Sequence, residues 1–388
     1  MTNRTVYTAE HDAFRAVIRE FVAAEVVPHF DEWERAGRPP REVFRRLGAL
    51  GITRFGIPVE YGGVGDLGFK FEAIVSEETA RAVVSLGHYN LSTGIVLPYL
   101  LRLADDDQKR RWFPGIADGS IMLCIAMTEP GAGSDLAGIR TRATRTADGV
   151  YYLVNGAKTF ISGARNSELC IVVVRTSPAT EDDRRAGLSL LVVPTDSPGF
   201  IYGRPLDKLG LHSSDTYELA FRDMLVPAAN LLGEEGRGFG YLGQNLSRER
   251  LAVGVSAVAS AAAAIRMTRD HLRGPRPVEH RPFHQQNALF VLAACDTQVA
   301  AAQALVDRAL DLEETGELTQ ADAARVKLFT TEVSGRVIDD CLQLQAGSGE
   351  IPESPIARLY ADLRVNRIYA GTSEVMKTII AKDLGVAS

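Results

Sequence analysis

Two glycine-bearing segments in the middle of the chain carry the residue types needed to hold a flat ligand with anionic oxygens. The first runs Cys124-Ile-Ala-Met-Thr-Glu-Pro-Gly-Ala-Gly-Ser-Asp135. An apolar strand ends there in a loop dense in backbone N–H groups and small hydroxyls. Gly131 and Gly133 let the backbone approach a ligand closely, and a nest of N–H groups suits anionic oxygens. An ordinary glycine-rich turn has the same composition. The second segment is Asn155-Gly-Ala-Lys-Thr-Phe-Ile-Ser-Gly163. Its Asn-Gly pair is a hairpin signal. Phe160 and Ser162 alternate with Thr159 and Ile161 and so share one face of a strand. An aromatic beside a hydroxyl suits a heteroaromatic ring with polar edges; a core Phe and a surface Ser read the same way in isolation.

Other nucleotide and nucleophile chemistries lose weight. The chain has no G-x-x-x-x-G-K-[ST] loop, and Gly233–Gly240 lacks the spacing of a strand–G-x-G-x-x-G–helix unit. It has no G-x-S-x-G elbow. Seven histidines show no H-E-x-x-H and no pairing with the cysteines, which makes a zinc site improbable.

These segments need elements to position them. Phe14, Val17, Ile18, Phe21 and Val22 follow the spacing of one buried helical face, which Pro28 should end or bend. A second helix is expected over 41–50, stopped by Gly51. The run 57–68 reads as a loop, and 69–104 as helix broken near Pro98. The texture then changes. Ile121–Met127, Tyr151–Val154, Cys170–Arg175, Leu188–Val193 and Tyr217–Phe221 are β-branched and aromatic runs separated by turn residues. They suggest a small antiparallel barrel or sandwich. From Phe239 onward alanine-rich helical sequence returns, read as a bundle of four long antiparallel helices. The expected fold is α+β and multidomain. Residues 1–118 form an N-terminal helical domain, 119–235 a middle antiparallel β domain and 236–388 a C-terminal four-helix bundle.

Composition agrees with that picture. The 388 residues are 46% hydrophobic and 24% charged, the mix of a folded globular chain too long for one small core. The net charge of −6 argues against a general nucleic-acid-binding face. Nothing reaches about 18 consecutive apolar residues, so no membrane span is expected. The first residues lack an apolar signal core, so a cytoplasmic location is expected. Cys124, Cys170, Cys295 and Cys341 lie in or beside apolar runs and read as reduced buried thiols.

Five motifs in order resemble the acyl-CoA dehydrogenase family of flavoproteins: IPVEYGG at 57–63, AMTEPGAGSD at 126–135, NGAKTFISG at 155–163, LGLHSSDT at 209–216 and RIYAGTSEVMK at 367–377. The likeness covers nearly the whole chain. It implies FAD between the β domain and the C-terminal bundle, usually in a homotetramer. By motif, Met127 and Thr128 would serve the isoalloxazine, with Gly133 and Ser134 close to flavin and substrate. Phe160 and Ser162 would flank the ring. Thr372 and Glu374 would approach the phosphate and adenosine portions, and Gln343 to Gly347 would act across a subunit interface.

The resemblance also implies a reaction. The family oxidises the Cα–Cβ bond of an acyl thioester to the trans-2-enoyl form: a base takes the α-proton while hydride leaves the β-carbon for flavin N5. The protein supplies orientation and electrostatics. The thioester carbonyl needs donors where enolate charge develops, and burial should raise the basicity of a carboxylate. Many members carry that carboxylate in an I-Y-E-G-T loop. This chain reads Ile368-Tyr369-Ala370-Gly371-Thr372, and alanine cannot take a proton. Long-chain and isovaleryl-CoA dehydrogenases place the glutamate in an E-R-L helix context, which Glu249-Arg250-Leu251 matches. Glu249 is therefore the expected base, against the alternative of a solvated Glu in a charged first turn. The Ala370 backbone N–H keeps its part at the carbonyl oxygen. Arg250 matches a family arginine near the thioester and CoA end, against a helix-surface arginine.

Departures from the pattern bear on the substrate. The usual R-x-x-F-G arginine is replaced within 273–287, where Arg273 and Arg276 are the candidates. The usual G-G is Ala346-Gly347, and the usual R-D is Ala361-Asp362. The primary expectation is an acyl-CoA dehydrogenase passing electrons to an electron-transfer flavoprotein. The alternatives are a dehydrogenase of carrier-protein-bound acyl thioesters, and a non-catalytic flavoprotein that binds a partner. Gly254 is read either as room for an acyl chain or as a helix-packing contact.

Overall fold

The computed structural model describes residues 4–180, 182–274, 286–345, 347, 351 and 353–386. The N-terminal helices are α1 (Ala9–Phe21), α2 (Phe30–Ala36), α3 (Arg41–Ala49), α4 (Phe69–Ala82), α5 (Leu97–Leu103) and α6 (Asp106–Ala117). Pro28 does not break the chain away after α1. A π-turn over Val22–Val26 and a 3₁₀ turn over Val27–His29 carry helical backbone on into α2. Pro98 does not interrupt a helix either. It sits in the first turn of α5, where its missing N–H would be unpaired anyway. The break falls earlier, after α4, where Val83 turns left-handed at φ 56°. A π-turn over Leu91–Val96 leads into α5.

The middle domain is one eight-stranded sheet: β1 (Leu123–Ala126), β2 (Arg142–Arg145), β3 (Tyr151–Ser162), β4 (Leu169–Arg175), β5 (Leu188–Pro194), β6 (Phe200–Pro205), β7 (Thr216–Pro227) and β8 (Leu231–Leu232). The order is β6-β7-β3-β2-β4-β5-β8, with β1 beside β4. The expected antiparallel pattern holds except where β1 and β2 run parallel to β4. Strands β4 and β5 are buried at every position but the last, so both faces of the sheet are covered there.

Among the described residues the C-terminal domain has three long helices: α7 (Gly238–Arg273), α8 (Gln286–Glu314) and α9 (Gln320–Leu344). In place of a fourth long helix come α10 (Pro355–Leu363) and α11 (Ser373–Asp383), separated by the turn that carries Ala370 and Gly371. Helices α7 and α9 pack closely. A Cβ on Gly254 would lie 2.6 Å from Val326 Cγ1, so this glycine serves helix packing. By length and composition α7 and α8 also pass as apolar spans, each with mean hydropathy 1.6 over its best 18 residues. For α7 most of that window is buried within the protein, as a core helix requires.

Two apolar cores matter for the site. One joins α5 (Leu97, Tyr99, Leu100), β1 (Leu123, Ile125) and α7 (Leu242), with Met127 packed at its edge. The other joins α4, α7, α8 and α9. Helix α7 belongs to both, so its first turns are fixed against the β domain and the bundle together.

Candidate active site

The two glycine-bearing segments are stitched side by side. The Thr159 N–H donates to Thr128 O at 2.9 Å. Lys158 Nζ donates to Met127 O and to Glu129 Oε1, both at 2.9 Å. Glu129 also accepts the backbone N–H groups of Arg140 and Thr141 at 2.7 and 2.8 Å. Burial, opposed by Glu129, brings the Lys158 ammonium down to about 8. Glu129 stays below the usual carboxylate range because Lys158 and the two amides outweigh its burial. This buried pair holds the Thr-Glu-Pro-Gly turn against β3.

Strand β3 bulges between Lys158 and Ile161. Phe160 takes φ +59°, a conformation disfavoured for a bulky side chain and characteristic of functional positions. Its neighbours Thr159 and Ile161 are buried while Phe160 is 68% exposed. Ser162 is half-buried and within 3.2 Å of Thr216 Oγ1. Gly131 and Gly133 are exposed, and a Cβ at either would meet nothing within 4 Å. Packing within the chain therefore does not demand glycine there. A close-approaching ligand does, and an outward aromatic beside open glycine backbone fits a flat ring system such as a flavin.

The second half of the site is built on α7, α9 and the turn before α11. Glu249 is 3% exposed. Its one hydrogen bond among the described residues comes from the Tyr99 hydroxyl, at 3.5 Å from Oε1. Burial pushes its carboxyl up to about 7, against the pull of Arg250 and the Tyr99 hydrogen bond. A carboxyl so placed is a base near neutral pH. A solvated glutamate is excluded by this burial. Arg250 is buried too and is no surface arginine. Its Nε donates to Ala370 O at 3.5 Å, and its Nη1 is buried without a hydrogen-bond partner. An orphan guanidinium donor beside a buried base suits a polar ligand group.

Ala370 has φ +54° and Gly371 φ +95°. Thr372 follows as the N-cap of α11, its hydroxyl accepting the Val375 N–H at 3.3 Å. Glu374 projects into solvent from the first turn. Ala370 and Thr372 thus join Glu249 and Arg250 in one cluster, while Met127, Thr128, Gly133, Ser134, Phe160 and Ser162 form the other. Shared packing of β1, α5 and α7 ties the two together. Gln343 and Gly347 are exposed. Arg273 is exposed at the end of α7. Arg276 and Ala346 lie outside the described residues.

Sequence reasoning missed Tyr99, which hides in an apolar helical run, and the buried lysines 158 and 327.

The family models decide what this arrangement belongs to. Residues 8–120 match the acyl-CoA dehydrogenase N-terminal domain, 124–224 its middle domain and 236–385 its C-terminal domain. The chain is a member of the acyl-CoA dehydrogenase family. Among its relatives is the mitochondrial long-chain specific acyl-CoA dehydrogenase of Sus scrofa, 39% identical over 98% of this chain and 88% of the relative. A crystal structure of acyl-CoA dehydrogenase from Geobacillus kaustophilus superposes with a TM-score of 0.94 at 39% identity, covering 98% of this chain and all of that one. An acyl-CoA dehydrogenase from Bacillus anthracis, solved in complex with FAD, has a TM-score of 0.88 at 26% identity and covers 97% of this chain and 68% of that one. The acyl-CoA dehydrogenase fold thus accounts for the helical, β and helical domains in order.

Proposed function

We propose that this acyl-CoA dehydrogenase removes the α-proton of a saturated acyl thioester with Glu249. The observation that carries the assignment is an almost fully buried glutamate with no cationic hydrogen-bond partner among the described residues, beside a loop whose family carboxylate is replaced by Ala370. Phe160, Ser162, Met127, Thr128 and the open backbone at Gly133 and Ser134 would hold FAD, with Thr372 and Glu374 toward its phosphate and adenosine portions. When bound, FAD supplies the hydride acceptor for the β-carbon.

The chain's own residues account for the proton. Glu249 ionises near neutral pH and accepts the α-proton at a carboxylate oxygen. Once neutral it suits its apolar surroundings, so burial favours the product side of the transfer. The Ala370 backbone N–H donates to the thioester carbonyl oxygen, where negative charge grows. A backbone donor survives the exchange of its side chain, which reconciles Ala370 with a working site.

Gln343 and Gly347, exposed on one subunit, are proposed to act across the interface of a homotetramer. The exposed Leu289 and Phe290 on α8 support an apolar face for subunit packing. An electron-transfer flavoprotein is the proposed electron acceptor. A cytoplasmic location belongs to the same proposal, supported by four free, buried cysteines.

Anaerobic mixing of purified protein with saturated acyl-CoA esters tests the reading. Bleaching of the flavin absorption by at least one acyl-CoA, lost in Glu249→Gln with flavin retained, is expected. Unchanged bleaching in Glu249→Gln contradicts the base assignment. Faster reaction of the same acyl group on a carrier protein than on CoA would move the substrate to the carrier-bound class.

A further inference from the structure

Lys327 is buried to 0% exposure in the middle of the bundle, on α9. Among the described residues no carboxylate lies within 4.0 Å of it, unlike Lys158 with its Glu129. Its Nζ instead donates to Gly371 O at 2.5 Å. Burying an ammonium without a counter-charge is costly. Burial and the charge of Arg250 accordingly bring it down to about 8, against Glu332 and Glu374. A fold that keeps such a cation on a backbone carbonyl has a use for where that carbonyl points.

The turn it grips explains the use. Ala370 and Gly371 both hold positive φ, which an alanine seldom adopts. A Cβ on Gly371 would also lie 2.7 Å from Met376 Cε. Two cations take the successive carbonyls: Arg250 that of Ala370, and Lys327 that of Gly371. The close approach of α7 and α9 at Gly254 and Val326 brings both cations to the same turn. On the other flank, Tyr369 is fixed through its hydroxyl to Asn366 Oδ1 at 2.8 Å.

We propose that Lys327 is a positioning residue: with Arg250 it locks the two peptide planes that follow Ala370, and with Tyr369 held on the other side it fixes the backbone that points the Ala370 N–H at the thioester carbonyl. The proposal rests on the dehydrogenase reading above. In this chain the turn has lost its carboxylate but not its donor, so its backbone geometry is all that it contributes. Rigidity there matters more than it would for a long side chain able to adjust.

The test compares wild type with Lys327→Met and Lys327→Gln, all as flavin-loaded protein. Met removes the donor. The Gln amide is neutral and one atom short of the carbonyl. Expected are flavin bleaching rates down roughly 10- to 100-fold for Lys327→Met and roughly 5- to 10-fold for Lys327→Gln. Thioester Kd should stay within about threefold, and backbone amides of residues 368–373 should exchange hydrogen faster. Where Lys327→Met fails to retain flavin, Lys327→Gln decides. A wild-type bleaching rate in Lys327→Gln, or unchanged exchange over 368–373, overturns the proposal. A wild type that bleaches with no acyl thioester defeats the dehydrogenase reading instead. Amide exchange still judges the role of Lys327 in that case, because it needs no turnover.

Discussion

Two glutamates with the same burial sit on neighbouring helices and have opposite acidities. Glu78 on α4 and Glu249 on α7 are each 3% exposed. Glu78 accepts Arg15 Nη1 at 3.1 Å and Arg19 Nε and Nη2 at 2.9 and 3.0 Å. Burial alone would raise it, but the two arginines hold it below the usual carboxylate range. Beside it, Glu77 takes Arg4 and Arg15 at 2.7 Å each and the Tyr7 hydroxyl at 2.9 Å. Among the described residues Glu249 has only a long hydrogen bond from Tyr99, and the adjacent Arg250 turns its Nε to Ala370 O. Burial then wins, and the carboxyl rises to about 7. Burial does not distinguish a structural carboxylate from a base. The partners that compensate it do.

The comparison can be broken most severely at Glu249. Glu249→Gln should lower turnover by about 10³-fold while flavin stays bound, because general-base catalysis is worth on the order of 10²–10⁴. Steady-state rates and the flavin absorption of the purified variant check this. Glu78→Gln should do the reverse. It removes one carboxylate partner of Arg15, which keeps Glu77, and of the half-exposed Arg19, costs about 1 kcal/mol of stability in denaturant titrations, and leaves the activity of the folded fraction within about twofold.

The two sites should also respond to pH with opposite signs. For Glu249 the folded pKa of about 7 stands above its ordinary 4.5. Its contribution to stability is therefore full below pH about 4.5 and is lost as pH rises to about 7. Glu249→Gln should gain stability relative to wild type at pH 8. Glu78, held low, contributes above the ordinary carboxylate range, and that contribution is lost as pH falls through its folded pKa. The deficit of Glu78→Gln should shrink in acid. In activity, kcat/KM of the wild type should fall about tenfold per unit below pH 7 and level off above it. The smallest effect is expected from Tyr99→Phe. The Tyr99 hydrogen bond lowers the Glu249 carboxyl, so its loss should move the acid limb of that profile upward and change the rate only about two- to threefold.

What the sequence disclosed and what it withheld follow from the range of the forces involved. The runs at 169–175 and 188–194 are apolar almost throughout and rich in valine, and they became β4 and β5. Strand β2, Arg-Ala-Thr-Arg, has one buried residue and no alternation strong enough to announce it. Strand β6 contains Gly203 and ends in Pro205, which disguise it as a loop. Glu249 stands out as the candidate base because its Glu-Arg-Leu setting coincides with alanine at 370. That it lies against Tyr99 does not show in the sequence, since residues 150 positions apart meet only through the packing of α5 and α7. The left-handed backbone at Phe160 and Ala370 likewise depends on hydrogen bonds and cations supplied from elsewhere in the fold.

The central claim, that Glu249 is the group that takes a proton from the α-carbon, is tested most directly without hydride transfer. Flavin-loaded protein in D₂O is given an acyl-CoA with α-hydrogens but no β-hydrogens, and deuterium uptake at the α-carbon is followed. Wild type should exchange, faster as pH rises through about 7, and Glu249→Gln should show no exchange above background. Equal exchange by both proteins would contradict the claim.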